Sequence, residues 1–316
     1  MIAAPEFVRT EGTRLLDRLA QLGVPLADLT ADSRAVKLGS IFVAYPGTVR
    51  DGRAFIADAI ARGATAVLWE HEGFEWNERW GVPNLGVRGL RAQISTIAGH
   101  VFGNPSDSLW MAGVTGTNGK TSVSQWIAAA LDGLGRRSAV IGTLGNGLVG
   151  ERSEAKNTTP DPIVLQRLLA DYLRRGARAV AMEVSSHGLD QDRVAGIKYD
   201  AAVFTNLTRD HLDYHGTMEE YFRAKQVLFE GCGTEPPRAA VINIDDEYGR
   251  QLLALSKKKS SLVLSYGLTT GDFHAESVDI TSRGTRFQMI TPAGKLAIWS
   301  PMIGKVNVYN VLAACA

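Results

Sequence analysis

Residues 110–131 carry the feature that most constrains the fold: an apolar strand, a glycine-rich turn and a helix follow one another without interruption. The turn contains Gly116 and Gly119, and Lys120 and Thr121 open the helix. In this context backbone N–H groups and the helix N-terminus hold phosphate, the lysine neutralises its oxygens, and the threonine hydroxyl reaches Mg²⁺. The segment therefore predicts a phosphate-binding loop.

The loop departs from the common phosphate-loop pattern at one position. Val114 stands where that pattern has glycine, and Gly113 lies one residue earlier. A glycine-rich turn with an incidental lysine is the alternative interpretation. Three glycines, a lysine and a threonine between a strand and a helix favour the phosphate loop, in a subtype that differs from the common one.

Apolar segments alternate with helical ones along most of the chain, which predicts an α/β fold. The strand segments after residue 108 are WMAGVT, SAVIGT, RAVAMEVS, AAVFTNL, AAVINI and SLVLSYG. Strands that are apolar on both faces indicate a mostly parallel sheet covered by helices. Beyond residue 271 short alternating runs separated by glycines predict appended antiparallel strands.

A smaller α/β region precedes this one. We expect a helix over 12–22, a strand over 40–47, a helix over 54–64 and a strand over 65–70. The turn-rich residues 103–105 mark a boundary between domains at 1–104 and 105–316. The length of 316 residues agrees with about two domains of roughly 150 residues each.

Composition excludes several classes of protein. Lys and Arg total 34 and Asp and Glu total 33, so no strong field favours nucleic acid or an anionic membrane. No stretch reaches the ~18 apolar residues of a membrane span, and the N-terminus lacks the pattern of a signal peptide. Two distant cysteines make no disulfide framework. We expect a cytoplasmic monomer that binds small molecules rather than nucleic acid or membrane.

The last residues, GKVNVYNVLAACA, form an apolar run of helical character. Because the run has no capping residue and no polar tail, we expect the chain to be a fragment cut near a domain boundary. We also expect an exposed apolar surface over 306–314.

Lys225 lies on the apolar face of a predicted helix. Thr217 and Glu220 have capping-box spacing, and the helix extends to about Phe229. Tyr221, at i−4 from Lys225, is among the residues of the apolar stripe. One interpretation is that the stem is buried while the ammonium reaches water. The other is that burial favours the neutral amine, which reacts with CO₂ to give a carbamate, an oxygen ligand for Mg²⁺.

Glu183 ends an apolar strand, where a carboxylate can bind Mg²⁺ beside the Thr121 hydroxyl; a helix cap or turn former is the alternative. His211 on its own would by default be structural, since Mg²⁺ prefers oxygen ligands. Residues 157–162, NTTPDP, place an amide and two hydroxyls at a loop–helix junction, or simply begin a helix with proline.

The segment GVTGTNGKT at 113–121 resembles the nucleotide loop of the Mur ligases, and related loops occur in folylpolyglutamate synthetases. NTTP, EVSSHGLDQDR, TRDHLDYHGTMEEYFRAKQVLF, and the pair DSR and DGR of residues 32–34 and 51–53 extend this resemblance over nearly the whole chain. It implies a small N-terminal UDP-binding domain, a central ATP-binding domain and a C-terminal ligase domain absent from the chain.

The resemblance implies roles for specific residues, which fall into three groups. Catalytic residues are Lys120, Glu183, His211 and Lys225; ATP-binding residues are Gly116, Thr117, Asn118, Gly119, Lys120, Thr121, Ser122 and Asn310; substrate-binding residues are Ser33, Thr48, Val49, Arg50, Asn157, Thr158, Thr159, Ser185, Gln191 and Arg193. The resemblance also implies two Mg²⁺ ions, held by Thr121, Glu183, His211 and Lys225, the last as N6-carboxylysine.

Within this family the segments match the ligases that act third on the stem peptide. The implied reaction joins meso-diaminopimelate or L-lysine to the D-Glu of UDP-MurNAc-L-Ala-D-Glu, with ATP, through an acyl phosphate. Another Mur ligase, a folylpolyglutamate synthetase or a nucleotide-binding domain without turnover are the alternatives. Glu183, His211 and Lys225 together with the loop argue against the last of these.

Overall fold

The computed structural model describes residues 14–47 and 50–316, without the side chain of Arg152. It divides into two compact units. Unit 1 takes in the described residues up to Pro105 together with Asp161–Asp171 and Gln191–Ile197, and unit 2 contains the rest. The division into domains at residue 104 stays a prediction. Each compact unit consists of three separate segments of the chain.

Unit 1 is a four-stranded parallel sheet with helices. Its elements are α1 (14–21), β1 (Asp28–Thr30), β2 (Ser40–Ala44), α2 (Ile56–Ala61), β3 (Ala66–Glu70), β4 (Asn84–Val87) and α3 (Leu90–Val101). The strands lie in the order β1-β2-β3-β4, all parallel. β2 and β3 are buried along their whole length because helices and loops cover both faces.

Unit 2 contains an eight-stranded sheet and a separate three-stranded one. Its elements are β5 (Trp110–Thr115), α4 (Lys120–Gly133), β6 (Ser138–Gly142), β7 (Gly145–Leu148), β8 (Glu151–Ser153), β9 (Ala179–Glu183), α6 (Ser186–Asp190), β10 (Ala201–Phe204), α7 (Leu212–His215), α8 (Met218–Glu230), β11 (Ala239–Asn243), α9 (Glu247–Ser256), β12 (Leu262–Tyr266), β13 (His274–Thr281), β14 (Gly284–Thr291), β15 (Gly294–Ser300) and α10 (Lys305–Cys315). Between β8 and β9 runs α5 (Pro162–Arg174), whose first part belongs to unit 1.

The large sheet has the order β12-β11-β10-β5-β9-β6-β7-β8. From β12 to β6 every pairing is parallel, as the apolar strands predict. Val114 pairs with Val203 on one side and with Glu183 on the other. The carboxyl ends of β10, β5 and β9 therefore meet at one edge, where α/β sheets bind ligands.

The antiparallel strands beyond residue 271 are confirmed as β13-β14-β15. They form a sheet of their own, which joins the core of unit 2 through Phe287 and Met289. In the large sheet two strands were not predicted from the sequence, β7 and β8, which add to its parallel part in antiparallel fashion. The glycine-rich residues of β7, GNGL, lack the apolar run that signals a strand.

The apolar surface expected over 306–314 is wrong for most of its length. Val308, Leu312 and Ala313 on α10 are buried in the core of unit 2, and only Val306 in that stretch is a large exposed apolar side chain. The helix finds its partner in α4, on which Val123 and Ile127 belong to the same core cluster. Within the described residues no helix has the length and apolar character to cross a membrane.

Candidate functional site

The phosphate loop lies between β5 and α4 and depends on two glycines. Gly116 has φ of 143° and Gly119 has φ of 89°, which L side chains rarely adopt. A Cβ on Gly116 would overlap the Thr205 hydroxyl, and one on Gly119 would lie 2.5 Å from Oδ1 of Asn310. Both strain and space therefore require glycine, and the Asn310 side chain lies against the loop; its ATP-binding role stays a prediction.

Lys120 begins α4 and turns back onto the loop. Its Nζ donates to the carbonyls of Gly116 and Thr117, each at 2.9 Å. Burial lowers the pKa of the Lys120 ammonium, while the charges of Glu183 and Asp210 act in the opposite direction. The cation is thus held where a phosphate in the loop would meet it.

The end of β10 holds the loop in shape. Thr205 Oγ1 donates to the Asn118 carbonyl at 2.6 Å, and Asn118 N–H donates to Oδ1 of Asn206 at 3.0 Å. Thr117 N–H donates to the Asn206 carbonyl at 2.8 Å. The backbone of the loop is therefore organised by a neighbouring strand and not by its own sequence alone.

Thr121 and Glu183 form the part of the site suited to a divalent cation. Thr121 Oγ1 donates to Oε2 of Glu183 at 3.0 Å, and the Glu183 side chain is fully buried. A carboxylate and a hydroxyl oxygen are ligands that Mg²⁺ prefers. The pair therefore fits the first of the two predicted Mg²⁺ ions. The alternative of a turn former stays open, since the carboxylate also accepts from the N–H of Thr143 in the turn after β6.

Lys225 on α8 is 1% exposed, so the interpretation in which its ammonium reaches water is wrong. Its Nζ donates to the Gly116 carbonyl at 2.9 Å, the same oxygen that accepts from Lys120, and lies 4.4 Å from the centre of the Tyr221 ring. Burial, and then the Lys120 charge, hold the pKa of Lys225 well below its usual range. Both causes favour the neutral amine that carbamate formation needs.

The N-terminus of α8 carries half of the predicted capping box. Thr217 Oγ1 accepts from Glu220 N–H at 3.1 Å, as expected. The Glu220 carboxylate pairs with Arg223 at 2.6 Å. The Thr217 N–H donates instead to the His215 carbonyl.

His211 precedes α7 with a left-handed backbone, φ 52°. Its ring lies 4.9 Å from that of His187 and 6.1 Å from that of Tyr221, between ring centres, and its Nε2 is 3.5 Å from Asp210. No three His, Cys, Asp or Glu side chains within the described part of the chain are arranged to hold a metal. As a free amine Lys225 donates to the Gly116 carbonyl and offers no metal ligand, so the second Mg²⁺ at His211 stays a prediction.

Three of the predicted substrate residues come together beside β9. Thr159 is buried; its Oγ1 donates to the Glu183 carbonyl at 3.0 Å and lies 3.1 Å from Ser185 Oγ. Thr158 Oγ1 lies 3.0 Å from the hydroxyl of Thr143. Asn157 is exposed at the start of this loop, and Ser122 is half-buried in the first turn of α4.

The other predicted substrate residues that the structure describes belong to unit 1. Ser33 and Arg50 line a cavity of about 390 Å³ together with Tyr45 and Asp58. In the segment Gln191–Ile197, Nε of Arg193 donates to Oε1 of Gln191 at 3.1 Å. Thr48 and Val49 lie outside the described residues.

Comparison with known proteins matches two family models to this chain. Residues 26–101 match the Mur ligase family catalytic domain and residues 114–316 match the Mur ligase middle domain, which alone is more than half of the chain. The chain belongs to the Mur ligase family. The predicted fold class and the resemblance to this family are confirmed.

Among relatives of this Mur ligase chain is the UDP-N-acetylmuramoyl-L-alanyl-D-glutamate–2,6-diaminopimelate ligase of Chromobacterium violaceum, 48% identical over 94% of this chain and 60% of that protein. The ligase of the same name from Pseudomonas aeruginosa is 48% identical over 93% of this chain and 60% of its own length. A solved structure of that name has a TM-score of 0.79 at 34% identity, covering 92% of this chain and 58% of the other. The chain thus spans about three fifths of the length of these relatives.

Three residues of this Mur ligase site were not predicted from the sequence, namely Thr143, Thr205 and Asn206. Thr143 follows β6, and the other two follow β10. Each lies at the carboxyl end of a strand in the parallel sheet, next to β9 or β5. A search for polar side chains at those strand ends would have found them, because parallel strands bring their carboxyl ends to one edge.

Proposed function

We propose that the protein acts in the ATP-dependent ligation of 2,6-diaminopimelate to the D-Glu of UDP-MurNAc-L-Ala-D-Glu, in peptidoglycan precursor synthesis. The names of the relatives support this substrate set, and favour diaminopimelate over L-lysine. The observation that carries the proposal is the convergence of Lys120 and Lys225 on the Gly116 carbonyl. Burial of the Lys225 amine on the same acceptor as the Lys120 cation favours its neutral form, which the carbamate role needs.

Amide formation from a carboxylate requires activation. In the proposed reaction the D-Glu γ-carboxylate attacks the γ-phosphorus of ATP, ADP leaves, and the amine then attacks the acyl phosphate with loss of phosphate and a proton. Both reactants of the first step are anions. Lys120 and the N–H groups of the loop bind and neutralise phosphate oxygens, and loop positioning brings the reacting atoms together.

Thr121 and Glu183 are proposed to hold one Mg²⁺, and His211 with carbamylated Lys225 the other. Bound Mg²⁺ supplies charge neutralisation between the phosphate oxygens. For the carbamate, the neutral Nζ of Lys225 bonds to the carbon of CO₂ and releases one proton, which converts a buried donor into an anionic oxygen ligand. The shared Gly116 carbonyl keeps the Lys120 cation close to that new anion.

The other predicted residues receive proposed roles within their own units. Thr158, Thr159 and Ser185, with the exposed Asn157, are proposed to bind the muramoyl-dipeptide. In unit 1 the cavity beside Ser33 and Arg50 is proposed for the UDP part, and Gln191 and Arg193 for the dipeptide. Thr48 and Val49 stay predicted UDP contacts, and the cytoplasmic location and monomeric state stay predictions.

A mass-resolved ligation assay tests the proposal. The chain, and in parallel any longer protein that contains it, is incubated with ATP, Mg²⁺, UDP-MurNAc-L-Ala-D-Glu and either diaminopimelate or lysine. Mass spectrometry then gives the mass of the nucleotide product. Isothermal titration with the nucleotide-sugar dipeptide measures binding independently of turnover. Product with diaminopimelate supports the proposal; neither binding nor product from any of these proteins would refute it.

A further inference from the structure

Thr143 follows β6 directly and contacts the Glu183 carboxylate twice. Its N–H donates to Oε1 at 2.8 Å and its hydroxyl donates to Oε2 at 3.3 Å. The preceding residue, Gly142, leaves space for the Glu183 carboxylate, because a Cβ there would overlap it. With Thr121 Oγ1 also donating to Oε2, both oxygens of the buried carboxylate are fixed in direction.

The same Thr143 hydroxyl lies 3.0 Å from Oγ1 of Thr158. A hydroxyl has one proton to donate. Because Thr143 gives its proton to Glu183, the Thr158 hydroxyl must donate to Thr143. A directed chain of hydrogen bonds therefore runs from Thr158 through Thr143 to the carboxylate.

The loop that contains Thr158 touches Glu183 a second time through the main chain. Thr159 Oγ1 donates to the Glu183 carbonyl and accepts from Ser185 N–H at 2.9 Å. This second contact fixes where the loop lies, whereas the Thr143 contact depends on the state of the carboxylate. A cation on Glu183 competes for the lone pairs of Oε2, so Thr143 can turn its proton toward Thr158. The Thr158 proton then becomes available to an anionic ligand.

We propose that Thr143 is a positioning residue that couples the loop 157–159 to Glu183, so that divalent-cation binding and binding of the carboxylate-bearing nucleotide sugar favour one another. The inference rests on the proposed function for the identity of the two ligands. By linkage the coupling is reciprocal, so either ligand can be titrated.

The test compares Thr143→Val with Thr143→Ser in the presence of ADP. Valine keeps the volume and the N–H but removes the hydroxyl, and serine restores the hydroxyl. Electron paramagnetic resonance of free Mn²⁺ gives the cation affinity with and without UDP-MurNAc-L-Ala-D-Glu, and it needs no turnover. Thermal unfolding checks that each variant is folded.

In the wild-type protein we expect the nucleotide sugar to tighten Mn²⁺ binding several-fold. Thr143→Val should abolish the enhancement, and without the nucleotide sugar it should bind Mn²⁺ at least as tightly as the wild type, because the hydroxyl that competes with the cation for Oε2 is gone. Thr143→Ser should restore the enhancement. An enhancement that survives in the valine variant, or is absent from a wild-type protein that binds both ligands, overturns the inference. A wild-type protein that binds neither ligand refutes the proposed function instead.

Discussion

Gly119→Ala tests whether the geometry of the phosphate loop, rather than backbone strain, governs nucleotide binding. Alanine at φ of 89° costs about 1 to 2 kcal/mol as a left-handed residue. Its Cβ would also lie 2.5 Å from Oδ1 of Asn310, so the Asn310 amide or the loop must move. Asn310 donates to Asn307 over 3.4 Å, a weak restraint. We expect displacement of the Asn310 amide, a predicted ATP contact, to reduce ADP affinity at least tenfold, or about 1.4 kcal/mol.

Gly135→Ala is the matched control. Gly135 follows α4 with φ of 80°, and a Cβ there meets nothing within 4 Å. This variant therefore carries the strain without the collision. Calorimetric titration with Mg²⁺–ADP and thermal unfolding are measured on both variants. We expect similar losses of stability but lower ADP affinity in Gly119→Ala alone; equal ADP affinity in the two variants would show that the loop geometry does not govern nucleotide binding.

Three further predictions concern the lysines. Lys120→Ala should lower kcat by a factor on the order of 10², since its charge acts on the transferring phosphoryl group, and steady-state kinetics showing near-wild-type turnover would refute this role. Lys225→Ala should lose activity and recover part of it with added short carboxylates; no recovery at any concentration leaves the carbamate role without support. In CO₂-free buffer the lowered pKa of Lys225 means that the unfolded chain binds more protons between that pKa and 10.5. The stability of α8 should therefore rise with pH across that window by up to about 1.4 kcal/mol per pH unit. Hydrogen exchange of the α8 amides measures this stability, and the stability should depend less on pH in Lys225→Met.

Strand and helix positions in the parallel sheet were predictable because each strand is apolar on both faces. The strand 110–115 agrees with β5 to the residue, and the α8 helix follows from its cap and apolar stripe. β1 and β4 were not foreseen, since strands of three and four residues carry too little periodicity to be recognised. The three-residue strand β8 was missed for the same reason, whereas β7 was missed because it is glycine-rich and lacks an apolar run.

Local patterns identified Lys120, Thr121 and Glu183, because each stands at a strand end or a helix start. The apolar stripe predicted that the Lys225 stem is buried but left open whether its ammonium reaches water. Its shared acceptor with Lys120 was not foreseen, since the two lysines are 105 positions apart and meet only through the packing of α8 on β5. The contacts of Thr143 and Asn206 depend on strand order, which no single-segment pattern contains.

The interleaved course of the chain has a consequence for synthesis. The chain changes from one compact unit to the other five times, and the last segment of unit 1 ends only at residue 197. Within unit 1, Arg167 on the recovered segment pairs with Asp28 at 2.9 Å, and Ile163 fills its core. A ribosome that has released the first 105 residues has thus not released a complete unit 1. A gene fragment that stops there would encode a unit lacking an ion pair and part of its interior, so excising unit 1 requires grafting, not truncation.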